Sequence, residues 1–229
     1  MNATWMKTKI VVGRFFCYLY LLLLYRWWSR LYRLIWEHKY STVALQSYRN
    51  FTDLVAIMRT CVWTADGWKQ IWDAFSYPGK VQFIINTDGP KPKIGDCDEF
   101  AIYLANVLEQ SSTLGGHENG RFVLDTYEGM MVERARVLTV SWVKQDGKYG
   151  GHNVCLIDFF DLKSKHHPLT GPDYYAFMDY DYPNVMQVDL RGVIEQVMNK
   201  YAPGGTCIAW AIHDKDLKLE KVGAHAYCA

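Results

Sequence analysis

No Cys-x-x-Cys pair occurs in this chain, and its six cysteines (Cys17, Cys61, Cys97, Cys155, Cys207, Cys228) are irregularly spaced. The spacing used by zinc ribbons and thioredoxin-type sites is therefore missing. The cysteine density is also too low for a disulfide scaffold, and a body of this size buries a core without staples. These residues read as free thiols in a reducing compartment. A dominant charge sign is lacking too: 25 Lys and Arg stand against 24 Asp and Glu, for a net +1. The whole-chain balance gives no footprint for a polyanion partner. No internal repeat and no low-complexity tract is visible. With 50% apolar and 21% charged residues over 229 positions, disorder, collagen and coiled coil are excluded.

The charge that is present is unevenly placed. Residues 1–40 hold seven Lys or Arg against Glu37 alone, a net +6, which leaves the remaining 189 residues at −5. We divide the chain accordingly into a basic, aromatic, hydrophobic segment (1–40) and a mildly acidic domain (41–229). Phe15 to Tyr25 (FFCYLYLLLLY) runs eleven residues without a charge. A spanning helix needs about 20 apolar residues, and the run approaches that only if Arg14 snorkels to a headgroup. Trp27, Trp28, Tyr32 and Trp36, mixed with Arg30 and Arg33, have the composition of an interfacial belt. The following RWWSR offers no small-x-small cleavage site, against a signal peptide. An N-terminal hydrophobic helix that contacts a membrane is expected, with packing on the body or on a partner as the alternative. Basic residues on both sides of the run leave orientation open.

In the body, spaced apolar residues predict helices at Ser47–Met58 and Ala65–Phe75, with Thr64 as a cap for the second and YPGK ending it. Val81–Ile85 reads as a short strand or extended segment, and TDGPKPKIGD as turns. In CDEFAIYLANVLEQ, Phe100, Ile102, Tyr103, Leu104, Val107 and Leu108 have helical spacing. Asp96 and Glu99 complete a capping-box pattern ahead of them. Strands are then predicted at Arg121–Thr126, Ala135–Lys144, Asn153–Phe160 and Tyr174–Tyr180. QDGKYGG has the composition of a hairpin loop between the second and third. A helix at Leu190–Tyr201 and strands at Cys207–His213 and Leu217–Val222 follow. Helices first and mostly antiparallel strands after make the class α+β.

Cys97 falls on the first turn of a helix, where unpaired N–H groups and the helix dipole stabilise a thiolate. Asp96 and Asp98 act against this, so a histidine partner is required. His152 follows two glycines and opens an apolar strand, exposed enough to act and rigid enough to aim. A carboxylate on a neighbouring strand would hold its ring. Asp179 in YAFMDYD is the choice, with Asp181 as the alternative third member, since two residues along a strand share a face.

GDCDEFAIYLANVL resembles the catalytic-cysteine segment of transglutaminase-like cysteine peptidases of bacterial and phage type, through Gly95, Asp96, Cys97, Asp98 and Ala101. GGHNVCLIDFF resembles that family's histidine strand, and YYAFMDYDYP the strand that supplies its aspartate. CVWTADGWKQIWDAFSYP resembles the helical lead-in. The resemblance covers about residues 48–182. It implies a papain-like, transglutaminase-like α+β body and thiol acyl transfer on amide bonds of a protein or peptide. Hydrolysis is preferred to cross-linking, with no cofactor and no metal. It also implies an oxyanion hole, for which Gln82 is the candidate together with the Cys97 backbone N–H. The chain departs from the pattern in two long spacings, one holding MMVERAR and one holding KSKHHPLTGPD.

Other classes fit less well. His152 and Cys155 would point to opposite faces of a strand and make a poor chelate. His166 and His167 sit in a turn-forming loop, and His213 and His225 read as structural. The apolar LLLL in the basic segment is unsuited to phosphate contact, against nucleic acid. The main rival is a membrane-associated binding or structural protein with a catalytically degenerate transglutaminase-like body. On either reading the chain is expected at a membrane, with its body on the reducing, cytoplasmic side.

Overall fold

The computed structural model describes residues 3–48, 50–64, 77–114, 130–161 and 172–224. The expected helix at Ala65–Phe75, the strand at Arg121–Thr126, the loop carrying His166 and His167, His225 and Cys228 lie outside these residues. Among them the architecture is α+β, with six α-helices and a five-stranded antiparallel sheet.

The first elements begin where capping chemistry puts them. Helix α3 (Phe51–Thr60) follows Asn50, whose side chain accepts from the Asp53 N–H at 2.8 Å. It therefore starts later than the apolar spacing from Ser47 suggested. Pro78 opens α4 (Pro78–Thr87), and the helix that YPGK was expected to end lies outside the described residues. Proline suits the first helical position because its φ is already helical and its missing N–H would be unpaired there. Val81–Ile85, expected as a short strand or extended segment, is thus the middle of a helix. Of the expected turn TDGPKPKIGD, residues Lys93–Gly95 form β2, paired in parallel with β1 (Val62–Trp63).

The sheet runs β5 (Tyr174–Met178), β4 (Tyr149–Asp161), β3 (Met130–Val143), β6 (Thr206–His213), β7 (Leu219–Gly223). MMVERAR, which lengthens the spacing from Cys97 to His152, is the first half of β3, with a bulge between Val132 and Arg134. The β3–β4 turn closes by Lys144 N–H to Lys148 O at 2.8 Å, with Gly147 at φ +81°.

Each face of the sheet buries a helix. On one, Phe100, Ile102, Tyr103, Leu104, Val107 and Leu108 of α5 (Cys97–Leu114) join α3 and the inward residues of β3 and β4 in one core. All six are at most 1% exposed, each contributing about 1.5–3 kcal/mol of hydrophobic burial. On the other, Leu190, Val193, Ile194, Val197 and Met198 of α6 (Leu190–Tyr201) pack on Val140, Val154, Leu156, Phe177 and Trp210.

The N-terminal segment forms α1 (Ala3–Leu19), a π turn (Tyr20–Leu24) and α2 (Tyr25–Tyr40). One face of it is bound to the body. Gly13 passes so close to β4 that a Cβ would stand 2.5 Å from the Tyr149 ring. Lys9 Nζ donates to Gly147 O and the Tyr149 hydroxyl to Lys9 O, both at 2.9 Å. Leu21 is buried in the core and Arg33 reaches Lys215 O at 3.1 Å. Among the described residues, no helix is long and apolar enough to cross a membrane.

Candidate active site

Cys97 is the first residue of α5, and the chain before it is built to start a helix. Gly95 has φ +122°, and a Cβ there would lie 2.7 Å from the Glu99 carboxylate, so only glycine fits. The capping box forms as its pattern predicts: Asp96 Oδ1 accepts from the Asp98 N–H at 3.0 Å, and Glu99 Oε2 from the Asp96 N–H at 3.3 Å. The thiol thus stands at a helix N-terminus, where the backbone favours negative charge.

Side chains of β4 alternate across the sheet. Asn153 turns toward α5: its amide donates to Asp98 Oδ1 and approaches Cys97 Sγ at 3.9 Å, while its carbonyl accepts from Thr139. Asp98 is fully buried, and Cys97 Sγ lies 3.7 Å from its Oδ1 as donor. Asn153 was not singled out by sequence, although its place beside His152 on a strand that pairs with β3 is the signal for it.

His152 turns to the other face, that of α6, so the structure joins Cys97 to Asn153 and His152 to Asp179 and places thiol and imidazole on opposite faces of β4. The His152 Nε2 donates to Asp179 Oδ2 at 3.3 Å, which fixes the tautomer and leaves Nδ1 as the basic ring nitrogen. Strand β5 ends at Met178, so Asp179 and Asp181 do not share a strand face. Asp179 is buried behind His152, whereas exposed Asp181 pairs with Arg59 at 2.8 Å. The Tyr182 N–H and the Arg59 guanidinium hold the Asp181 carboxyl below its ordinary range. The structure therefore separates the two aspartates and brings only Asp179 to the histidine.

Tyr201, the last residue of α6, completes the group and was missed. Its ring lies over the His152 imidazole with centroids 3.8 Å apart, and its hydroxyl donates to Asp179 Oδ2. Burial, then the adjacent Asp179, push its hydroxyl far above the usual phenol range, so it remains a donor. Lys200 Nζ approaches the same oxygen at 4.0 Å.

Cys97 and His152 open on one cavity of about 410 Å³, also lined by Tyr20, Leu21, Trp63 and Asn153. Gln82, the candidate oxyanion donor, is not among its walls. It is buried, with Oε1 accepting from Tyr103 and the Gln46 N–H at 2.8 and 2.9 Å and Nε2 donating to Asn86 at 3.0 Å. Its amide instead ties α4 to Tyr103 of α5 and to the backbone ahead of α3.

The donor atoms of Asp96, Cys97 and Asp98 lie within 4.8 Å of one another, a spacing a metal ion could bridge. Both carboxylates already accept hydrogen bonds, from the Asp98 N–H and from Asn153. Burial pushes the Cys61 thiol up to about 11 and raises those of Cys17 and Cys155. No protein-family model, no curated protein and no solved structure matches the chain.

Proposed function

We propose that the chain is a thiol-dependent acyl transferase of the transglutaminase-like, papain-fold type that hydrolyses peptide or other amide bonds. The observation that carries this reading is the opening of Cys97, at the start of α5, and of the Asp179-bound His152 on the same cavity. Across the shared cavity, through a bridging water, the His152 imidazole takes the Cys97 proton, and the thiolate attacks the amide carbonyl. Asp179 and Tyr201 hold the imidazolium in place. The tetrahedral oxyanion forms beside the N–H groups of the helix start. It collapses to an acyl-thioester as His152 returns the proton to the departing amine. Water, deprotonated by His152, then releases the acid and restores the thiol.

The test is iodoacetamide labelling against pH, read by peptide mass spectrometry, for wild type and His152→Ala. The expected result is that Cys97 labels fastest well below its ordinary thiol range and loses that advantage in the variant. Labelling of Cys97 no faster than Cys61 or Cys207 would overturn the reading and leave a binding body with a degenerate site. If the pair exists, incubation with peptide amides, with and without a fluorescent primary amine, separates hydrolysis from cross-linking.

A further inference from the structure

We infer that α1 and α2 present one continuous apolar face that docks flat on an anionic membrane surface. Phe15, Phe16, Leu23, Trp27, Leu31 and Leu34 are each between 51% and 79% exposed. Large apolar side chains in an unbroken exposed line mark a contact surface.

The π turn makes the line continuous. On an ideal α-helix, residues stepped by four drift about 40° per step. From Phe15 to Leu31 that drift would carry the line most of the way to the face that packs on the body. A π turn winds less per residue and takes up the drift. As a result Gly13, Leu21 and Tyr40 all face the body, while Phe15, Trp27 and Leu31 face away along both helices.

Charge identifies the occupant. Seven cations and one acid occupy the first forty residues. Lys7, Arg30 and Lys39 are exposed at the start, within and at the end of the line, and Glu37 is half-buried. Phe, Trp and Leu flanked by Lys and Arg along a helix about 36 Å long from residue 11 to 35 fit the headgroup–acyl boundary. A flat orientation lets Arg30 snorkel to phosphates, whereas a spanning one would sink it in hydrocarbon.

The inference is independent of the chemistry at Cys97. It is tested by flotation of the full chain with phosphatidylcholine vesicles, with and without phosphatidylserine, at low and high salt. Wild type should float with the anionic vesicles and lose at least about tenfold in binding at high salt. Phe15→Glu and Leu31→Glu, one on each helix, should each weaken binding by at least about tenfold. Lys7→Glu/Arg30→Glu should abolish the preference for phosphatidylserine. Unchanged melting by circular dichroism shows that these exposed substitutions leave the fold intact. Absence of flotation, or flotation unaffected by both glutamates, overturns the inference. So does resistance to alkaline extraction, which marks a spanning segment. A dimer by analytical ultracentrifugation that Phe15→Glu dissociates reassigns the face to a second copy. Cys97→Ala should bind vesicles as wild type does, and Phe15→Glu should keep the Cys97 labelling profile, so this inference and the thiol reading fail separately.

Discussion

The Tyr201 ring covers the His152 imidazole at 3.8 Å between centroids, and its hydroxyl donates to the same Asp179 oxygen that faces His152 Nε2. One residue thus restrains both partners of the histidine–aspartate pair, from the end of a helix on the sheet face opposite α5.

Replacing Tyr201 separates these two restraints. Tyr201→Phe keeps the ring and removes a hydrogen bond to a buried carboxylate, with a loss of about 1.5–3 kcal/mol in unfolding free energy. Tyr201→Leu removes the stacked ring as well. A merely structural tyrosine would leave the pH midpoint of Cys97 labelling in place. A positioning tyrosine moves that midpoint in Tyr201→Phe, in a protein whose circular dichroism spectrum is unchanged.

Gly95 is the position where backbone conformation governs the thiol. Gly95→Ala places a side chain at φ +122° and against Glu99. The expected cost is about 1–3 kcal/mol of stability, together with loss of the Glu99 cap on Asp96. Denaturant titration measures the first, and slower Cys97 alkylation reports the second. Gly89, also at positive φ but with nothing near its absent Cβ, provides the control, because Gly89→Ala carries strain without touching the cap.

The thiols should rank by burial in a competition experiment. With Cys61 pushed up to about 11, only about one molecule in a thousand carries its thiolate at pH near 8. Quantitative mass spectrometry after brief iodoacetamide exposure should find Cys61 and Cys155 essentially unmodified until the protein is unfolded. Equal labelling of all thiols in the folded protein would contradict the burial described here.

A second ionisable group lies away from the cavity. Asp158, on β4, pairs with Arg136 at 2.5 Å, but burial outweighs that pairing and pushes its carboxyl up to about 6. An unfolded aspartate ionises near about 3.9. Between about pH 4 and about pH 6 the folded protein therefore holds the extra proton, and stability falls as pH rises through that window. The wild type should lose stability relative to Asp158→Asn across it. Urea denaturation of both proteins at several pH values checks this, and parallel pH profiles would refute it.

What the sequence made legible was local. The helix of Cys97 announced itself by a capping box and 3.6-residue spacing, and α6 by its own amphipathic pattern over Leu190–Tyr201. The strand of His152 did so by a hairpin loop and an apolar run. Where the decisive fact lay elsewhere in the chain, the reading stayed open or failed. Asp179 and Asp181 are equivalent until one knows that β5 stops at Met178 and that Arg59 waits for the outer carboxylate. Gln82 has the right chemistry for an oxyanion hole, but Tyr103 and the Gln46 backbone claim its amide. Tyr201 carries no motif; it reaches His152 because α6 crosses the far face of the sheet. Pro78 is a different case, a local signal whose punctuation can be read as a stop or a start.

The wide separation of the site's parts along the chain governs when the site can exist. Cys97, His152, Asp179 and Tyr201 come from α5, β4, the turn after β5 and the end of α6. The β3–β4 hairpin closes through a short turn and can form early, but it brings His152 neither its aspartate nor its tyrosine. Those arrive only when β5 pairs and α6 docks, each across a longer loop than the hairpin turn. During refolding, selective alkylation of Cys97 should therefore lag behind the appearance of secondary structure. A nascent chain should show no selective Cys97 alkylation until the segment through Tyr201 has been synthesised.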